Sequence, residues 1–150
     1  MGVTNQGKGR RTGARGLVIG GFALAASIGI VGASSQKTVK DGIYTKDQAT
    51  KAAPQFDKFC AKCHDPAKVP EGKKPAPPLA GDVFLDNWKD RTVAELLENI
   101  FTTMPNDGAT ALTKEETADL VALILLQNKF PEGAAPLKYD DAAKSIVIVK

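Results

Sequence analysis

Five consecutive residues, Cys60-Ala61-Lys62-Cys63-His64, bring both cysteines of the chain and its one histidine within little more than a helical turn. At the end of a helix, this spacing turns all three side chains to one face. The two thiols can add to the two vinyl groups of a porphyrin while the adjacent imidazole turns to the iron, and C-x-x-C-H is the attachment pattern of haem c. A zinc site needs about four ligands. With two Cys and one His in 150 residues, carboxylates would have to supply the rest. A thioredoxin-type redox pair belongs beside a βαβ pattern, and the sequence has none. A plain disulfide between the two cysteines is the remaining alternative.

The second residue able to do chemistry is Met104. Apart from the initiator it is the only methionine, forty residues beyond His64 and directly before Pro105. A rigid turn there can aim its thioether at a fixed point, although a methionine also serves as a soft filler of core gaps. His64 with Met104 would give an iron with both axial positions taken. Such a centre suits electron transfer, and thioether ligation raises its potential.

These residues need elements to position them. Thr45-Lys46-Asp47-Gln48 fits a capping box, and Ala49, Ala52, Ala53, Phe56, Phe59, Cys60 and Cys63 follow at helical spacing. Pro54 interrupts that helix, which predicts a kink or a restart with Pro54 in a first turn. Residues 65–78 hold five prolines and three lysines without periodicity, a loop. A short apolar turn (Val83, Phe84, Leu85) and Trp88 come next. Thr92–Glu95 and Thr113–Glu116 are two further boxes. The first opens a helix with Val93, Leu96, Leu97, Ile100 and Phe101 on its apolar face. The second opens a helix to about Asn128 with Leu120, Val121, Ile124 and Leu125 facing inward, which Pro131-Glu132-Gly133 stops. Residues 145–149 read as a short strand with no evident partner, packing as a tail. The expected class is all-α, three main helices plus short helical turns around one covalent haem.

Composition bounds the function. Hydrophobic residues make up 43% and charged residues 25%, an ordinary globular balance. Lys and Arg number 20 against 17 Asp and Glu, but Lys8, Arg10, Arg11 and Arg15 sit in a first stretch of sixteen residues without an acid. Beyond it 16 bases face 17 acids, so nothing supports a nucleic-acid partner. The basic stretch followed by apolar Leu17–Ala33 and then Ser34-Ser35-Gln36 reads as an export signal, cut near Ala33. The same apolar run, at the lower limit for crossing a bilayer, could instead remain as a membrane anchor. Either way the domain is expected in the periplasm, soluble or tethered. The expected organisation is a leader over 1–33, a linker over 34–44, a haem domain over 45–133 and a tail over 134–150.

Cys60–His64, Pro77-Pro78-Leu79-Ala80-Gly81, Asn87-Trp88, Thr103-Met104-Pro105 and the helix carrying Ala118-Asp119-Leu120-Val121-Ala122 resemble class I c-type cytochromes. They are most similar to small bacterial monohaem domains, which often work beside periplasmic quinoprotein dehydrogenases. The resemblance covers about residues 44–133. It implies that the Pro77 carbonyl accepts from the His64 ring N–H, fixing the imidazole. It also implies that Trp88 lies by a haem propionate and that Leu79 and Phe101 line the haem pocket. Three positions depart from the pattern: Asp65 stands where glycine is common, Pro54 breaks the first helix, and Leu123 replaces an aromatic. The implied function is single-electron transfer between a dehydrogenase donor and an oxidase or other cytochrome acceptor, without enzymatic turnover. Alternatives are a haem subunit of a larger complex, or an open-site haem enzyme or gas sensor, for which no second histidine offers a distal base. Residues 58–74 carry Lys58, Lys62, Lys68, Lys73 and Lys74 against Asp65 and Glu71, a basic rim that could steer an acidic partner.

Overall fold

A computed structural model of the chain describes residues 35–150, Pro66 excepted. The leader or anchor expected over 1–33 lies outside the described residues. Helices dominate: α1 (Lys46–Lys51), α2 (Ala53–Phe59), α3 (Ala61–His64), α4 (Asp82–Trp88), α5 (Val93–Thr103) and α6 (Lys114–Gln127). Two short strands, β1 (Lys37–Thr38) and β2 (Ile146–Val147), pair in parallel. Among the described residues no helix is long and apolar enough to cross a membrane.

The capping boxes fix where the two long helices start. Thr92 Oγ1 accepts from the Glu95 amide while Glu95 accepts from the Thr92 amide at 2.8 Å. Thr113 and Glu116 repeat the exchange at 3.1 and 2.8 Å. Each box satisfies two amides that a helix start leaves without partners. At Thr45 only half of the box forms. The Thr45 hydroxyl accepts from the Gln48 amide, but the Gln48 side chain turns inward, donating to Asp119 at 3.0 Å and pairing with both backbone groups of Leu137 at 2.8 Å. Burial beside those polar groups outweighs the local cap.

Pro54 ends the first helical run, as its missing N–H requires. The chain restarts as α2 with Pro54 in the first turn, where that N–H is dispensable. Helix α6 is buried along a continuous stretch from Thr117 to Leu125, so it has no polar face there. It is the central element of the core, with α1 and α5 packed against it. Leu123, in place of an aromatic, is 6% exposed within that stretch.

The end of α6 corrects the expectation of a Pro131–Gly133 stop. The Phe130 amide donates to the Leu125 carbonyl and the Lys129 amide to that of Leu126, with Lys129 left-handed at φ 63°. This is a Schellman cap, complete before Pro131. Gly133 instead lets two backbones touch: a Cβ there would stand 1.8 Å from the Gly42 carbonyl oxygen.

The flanking segments are also more structured than a linker and a tail. Residues 145–149 do have a partner, since Lys37 pairs with Ile146 and Thr38 with Val147. Val39, Ile43 and Tyr44 join Leu137, Ile146 and Ile148 in the same hydrophobic core as α5 and α6. The buried Tyr44 hydroxyl donates to the Phe130 carbonyl at 2.6 Å. The described residues form one compact unit.

Candidate cofactor site

Helix α3 is one turn long and carries Cys63 and His64, with Cys60 as its N-terminal cap. The amides of Cys63 and His64 both donate to the Cys60 carbonyl, at 3.1 and 3.0 Å. That turn sets the two thiols and the imidazole on one wall. The proline-rich loop then returns over it, tied by the Ala76 amide to the Cys63 carbonyl at 2.9 Å.

His64 Nδ1 lies 2.7 Å from the Pro77 carbonyl oxygen. A carbonyl can only accept, so Nδ1 carries the proton and the lone pair of the neutral ring sits on Nε2. Further along, the Asn128 side chain donates to the Leu79 carbonyl at 2.9 Å and accepts from the Gly81 amide at 3.0 Å. It also donates to the Ile124 carbonyl on α6, which fixes Leu79 relative to the core. Sequence reasoning passed over Asn128 because a helix-terminal asparagine has many ordinary uses.

Cys60, Cys63, His64, Pro77, Leu79, Trp88 and Met104 all line one cavity of about 680 Å³, within the roughly 300–1,000 Å³ range of small-molecule and cofactor sites. Phe56, Phe59, Phe84, Leu96, Ile100 and Leu120 supply apolar wall. Met104 caps the C-terminus of α5, its amide donating to the Ile100 carbonyl at 3.0 Å, so a rigid helix end sets where its side chain begins.

Phe101 does not line the cavity. It packs edge-on against Tyr139 at 5.4 Å between ring centroids, and Ile100 takes the wall position. One residue along a helix turns the side chain by about 100°. An apolar face two residues wide could not tell which neighbour faced the pocket and which the C-terminal segment. Trp88 is half-buried, with the Arg91 guanidinium 4.4 Å over its ring and Phe84 tilted beside it. Asn87 and Asn99 add amide groups to the same cavity.

No disulfide joins Cys60 to Cys63. Burial pushes the Cys60 thiol up to about 11. Among the described residues no group of three or more His, Cys, Asp and Glu side chains is gathered to hold a metal. Two thiols, an imidazole with a free Nε2 and a thioether, all on one apolar cavity, are side chains that fit a haem held through sulfur.

Two of the five lysines of the basic rim are paired with acids: Lys68 with Asp57 at 3.0 Å and Lys62 with Asp107 at 2.5 Å. Lys58 lies over the Phe59 ring, and Lys73 and Lys74 remain exposed at the cavity edge.

A family model described as cytochrome C oxidase, cbb3-type, subunit III matches residues 47–124. No curated protein and no solved structure matches the chain.

Proposed function

The chain belongs to the family described as cytochrome C oxidase, cbb3-type, subunit III, and on that footing we propose that it is an exported monohaem cytochrome c passing single electrons between redox proteins. Its all-α architecture is the cytochrome c fold, and its function is haem-based electron transfer. The observation that carries the finer reading is the convergence of Cys60, Cys63, His64 and Met104 on one apolar cavity.

Cys60 and Cys63 would hold haem c, with His64 and Met104 as the axial ligands. Bound there, the haem supplies a reversible one-electron couple. The Pro77 carbonyl holds the His64 proton on Nδ1, which keeps Nε2 available as a donor and raises its basicity. Met104 would supply the second protein ligand to the iron, in which case no substrate would bind there. The apolar wall from α4, α5 and α6 keeps water away and so tunes the potential. Leu79 lines the same cavity, and Trp88, which also lines it, would lie by a haem propionate. Outer-sphere transfer through such a site needs no bond to be made or broken. The partners fitting this chemistry are a dehydrogenase donor and an oxidase or cytochrome acceptor in the periplasm.

Replacing Cys60 and Cys63 together by alanine tests the attachment. Haem should then be removed by acidified solvent, whereas it stays on the wild-type chain. Haem resisting extraction from the double variant would contradict the assignment.

The family description favours a second reading, that the chain is a haem subunit of a larger membrane oxidoreductase. Leu17–Ala33 retained as an anchor would suit that role. Co-purification with other subunits in detergent supports it, and a soluble mature chain beginning at Ser34 supports the free carrier.

A further inference from the structure

An ion pair joins the segment carrying the cysteines to the loop that follows Met104. Lys62 Nζ lies 2.5 Å from Asp107 Oδ2, 45 residues apart, and both residues line the cavity. Lys62 stands between Cys60 and Cys63; Asp107 lies three residues after Met104. The carboxylate is fixed from behind as well. Its Oδ1 accepts from the Ala109 amide at 3.0 Å, and the Gly108 amide donates to the Pro105 carbonyl at 3.1 Å. Asp107 is thus part of a built turn, and its second oxygen is presented to Lys62.

We propose that Lys62 and Asp107 form a clasp which holds the Met104 loop closed on the Cys60–His64 segment. They are positioning residues, acting on the thioether through the loop without touching it. The inference rests on the reading of Met104 as an axial ligand. Residues 105–111 lie between helices α5 and α6, and α5 ends at Thr103. Met104 itself hangs from the end of α5, and the chain after it is loop, so opening the site has to displace that loop. A charge pair with one end in a backbone-anchored turn opposes that motion. Both side chains are about two-fifths exposed, which puts the pair in the class of surface ion pairs, where the effect on an opening equilibrium is about 2- to 5-fold. The exposure also makes the pair sensitive to salt.

The test is a titration of the oxidised holoprotein with imidazole, followed by loss of the far-red sulfur-to-iron absorption band. Asp107→Asn keeps an acceptor for the Ala109 amide and removes the charge; Lys62→Gln removes the other charge; Lys62→Arg keeps it. Each charge-removing variant should need about 2- to 5-fold less imidazole at the midpoint. Lys62→Arg should stay at the wild-type midpoint. The Lys62→Gln, Asp107→Asn double variant should open no further than either single one, because the interaction is lost once. Raising the salt to 1 M should shift the wild type toward the variants and leave the double variant in place. Unchanged midpoints in the single variants overturn the clasp, as do effects that multiply in the double variant. If the wild type lacks the band altogether, the ligation by Met104 fails and the clasp fails with it; with the band present, a negative result removes the clasp alone.

Discussion

At the scale of single residues, one spacing and one side chain carry most of the chemistry. Two cysteines three apart with a histidine behind them restrict the site severely, because little else uses that set in a chain with no third cysteine. The Pro77 contact could be stated from a resemblance, and the 2.7 Å separation matches that expectation. Asn128 had no such pointer. Its amide bonds three backbone groups, at Leu79, Gly81 and Ile124, and so ties the returning loop to the core helix. Asn128→Ala should lower stability by about 1–3 kcal/mol, the cost of stranding partly buried polar groups, while haem stays covalently attached. Thermal unfolding of the holoprotein measures it; an unchanged Tm would mean that the loop does not depend on this anchor. The displacement of Phe101 by Ile100 on the cavity wall marks the limit of pattern reading. A stripe of apolar residues gives the inward side of a helix but not which of two adjacent side chains meets which neighbour.

At the scale of elements, capping chemistry was the most legible feature. Thr92 with Glu95 and Thr113 with Glu116 form reciprocal boxes at the starts of α5 and α6. Hydrogen bonds from the Thr92 backbone and hydroxyl hold Glu95 below its usual value, and those from Thr113 do the same for Glu116. A carboxylate depressed in the folded state adds stability that is full above its unfolded value, near 4.5, and is lost as the pH falls through its folded value. The Tm should therefore decline on acidification from about pH 5. In a Glu95→Gln, Glu116→Gln variant that decline should be shallower. Equal acid slopes for wild type and variant would show that the boxes carry no proton-linked stability. Pro54 was legible for the same local reason, since its ring and missing N–H allow few places in a helix. The Schellman cap at Lys129 was hidden, because a lysine does not advertise the left-handed conformation that glycine would. The Thr45 box was half right: Gln48 is drawn inward to Asp119 and Leu137, and tertiary partners of that kind leave no trace in four residues of sequence.

At the scale of the whole molecule, the helical class was legible from three amphipathic or capped segments, while the closure of the fold was not. Two-residue strands cannot be read from alternation, and the parallel pairing of Thr38 with Val147 joins positions over a hundred residues apart. The buried Tyr44 and its bond to Phe130 pull the expected linker into the core. These contacts make the segments before α1 and after α6 part of the hydrophobic core, and Ile148 is bonded to Asp90 and Arg91 just after α4. The account as a whole claims a closed, electron-carrying iron between His64 and Met104. The most direct test is the absorption spectrum of the mature holoprotein, oxidised and reduced, with and without carbon monoxide, beside Met104→Ala as the opened reference. The account predicts a low-spin wild type with the weak far-red sulfur-to-iron band, indifferent to carbon monoxide, and a Met104→Ala protein that keeps its haem but binds the gas. A wild type that is high-spin or responds to carbon monoxide as the variant does would contradict it.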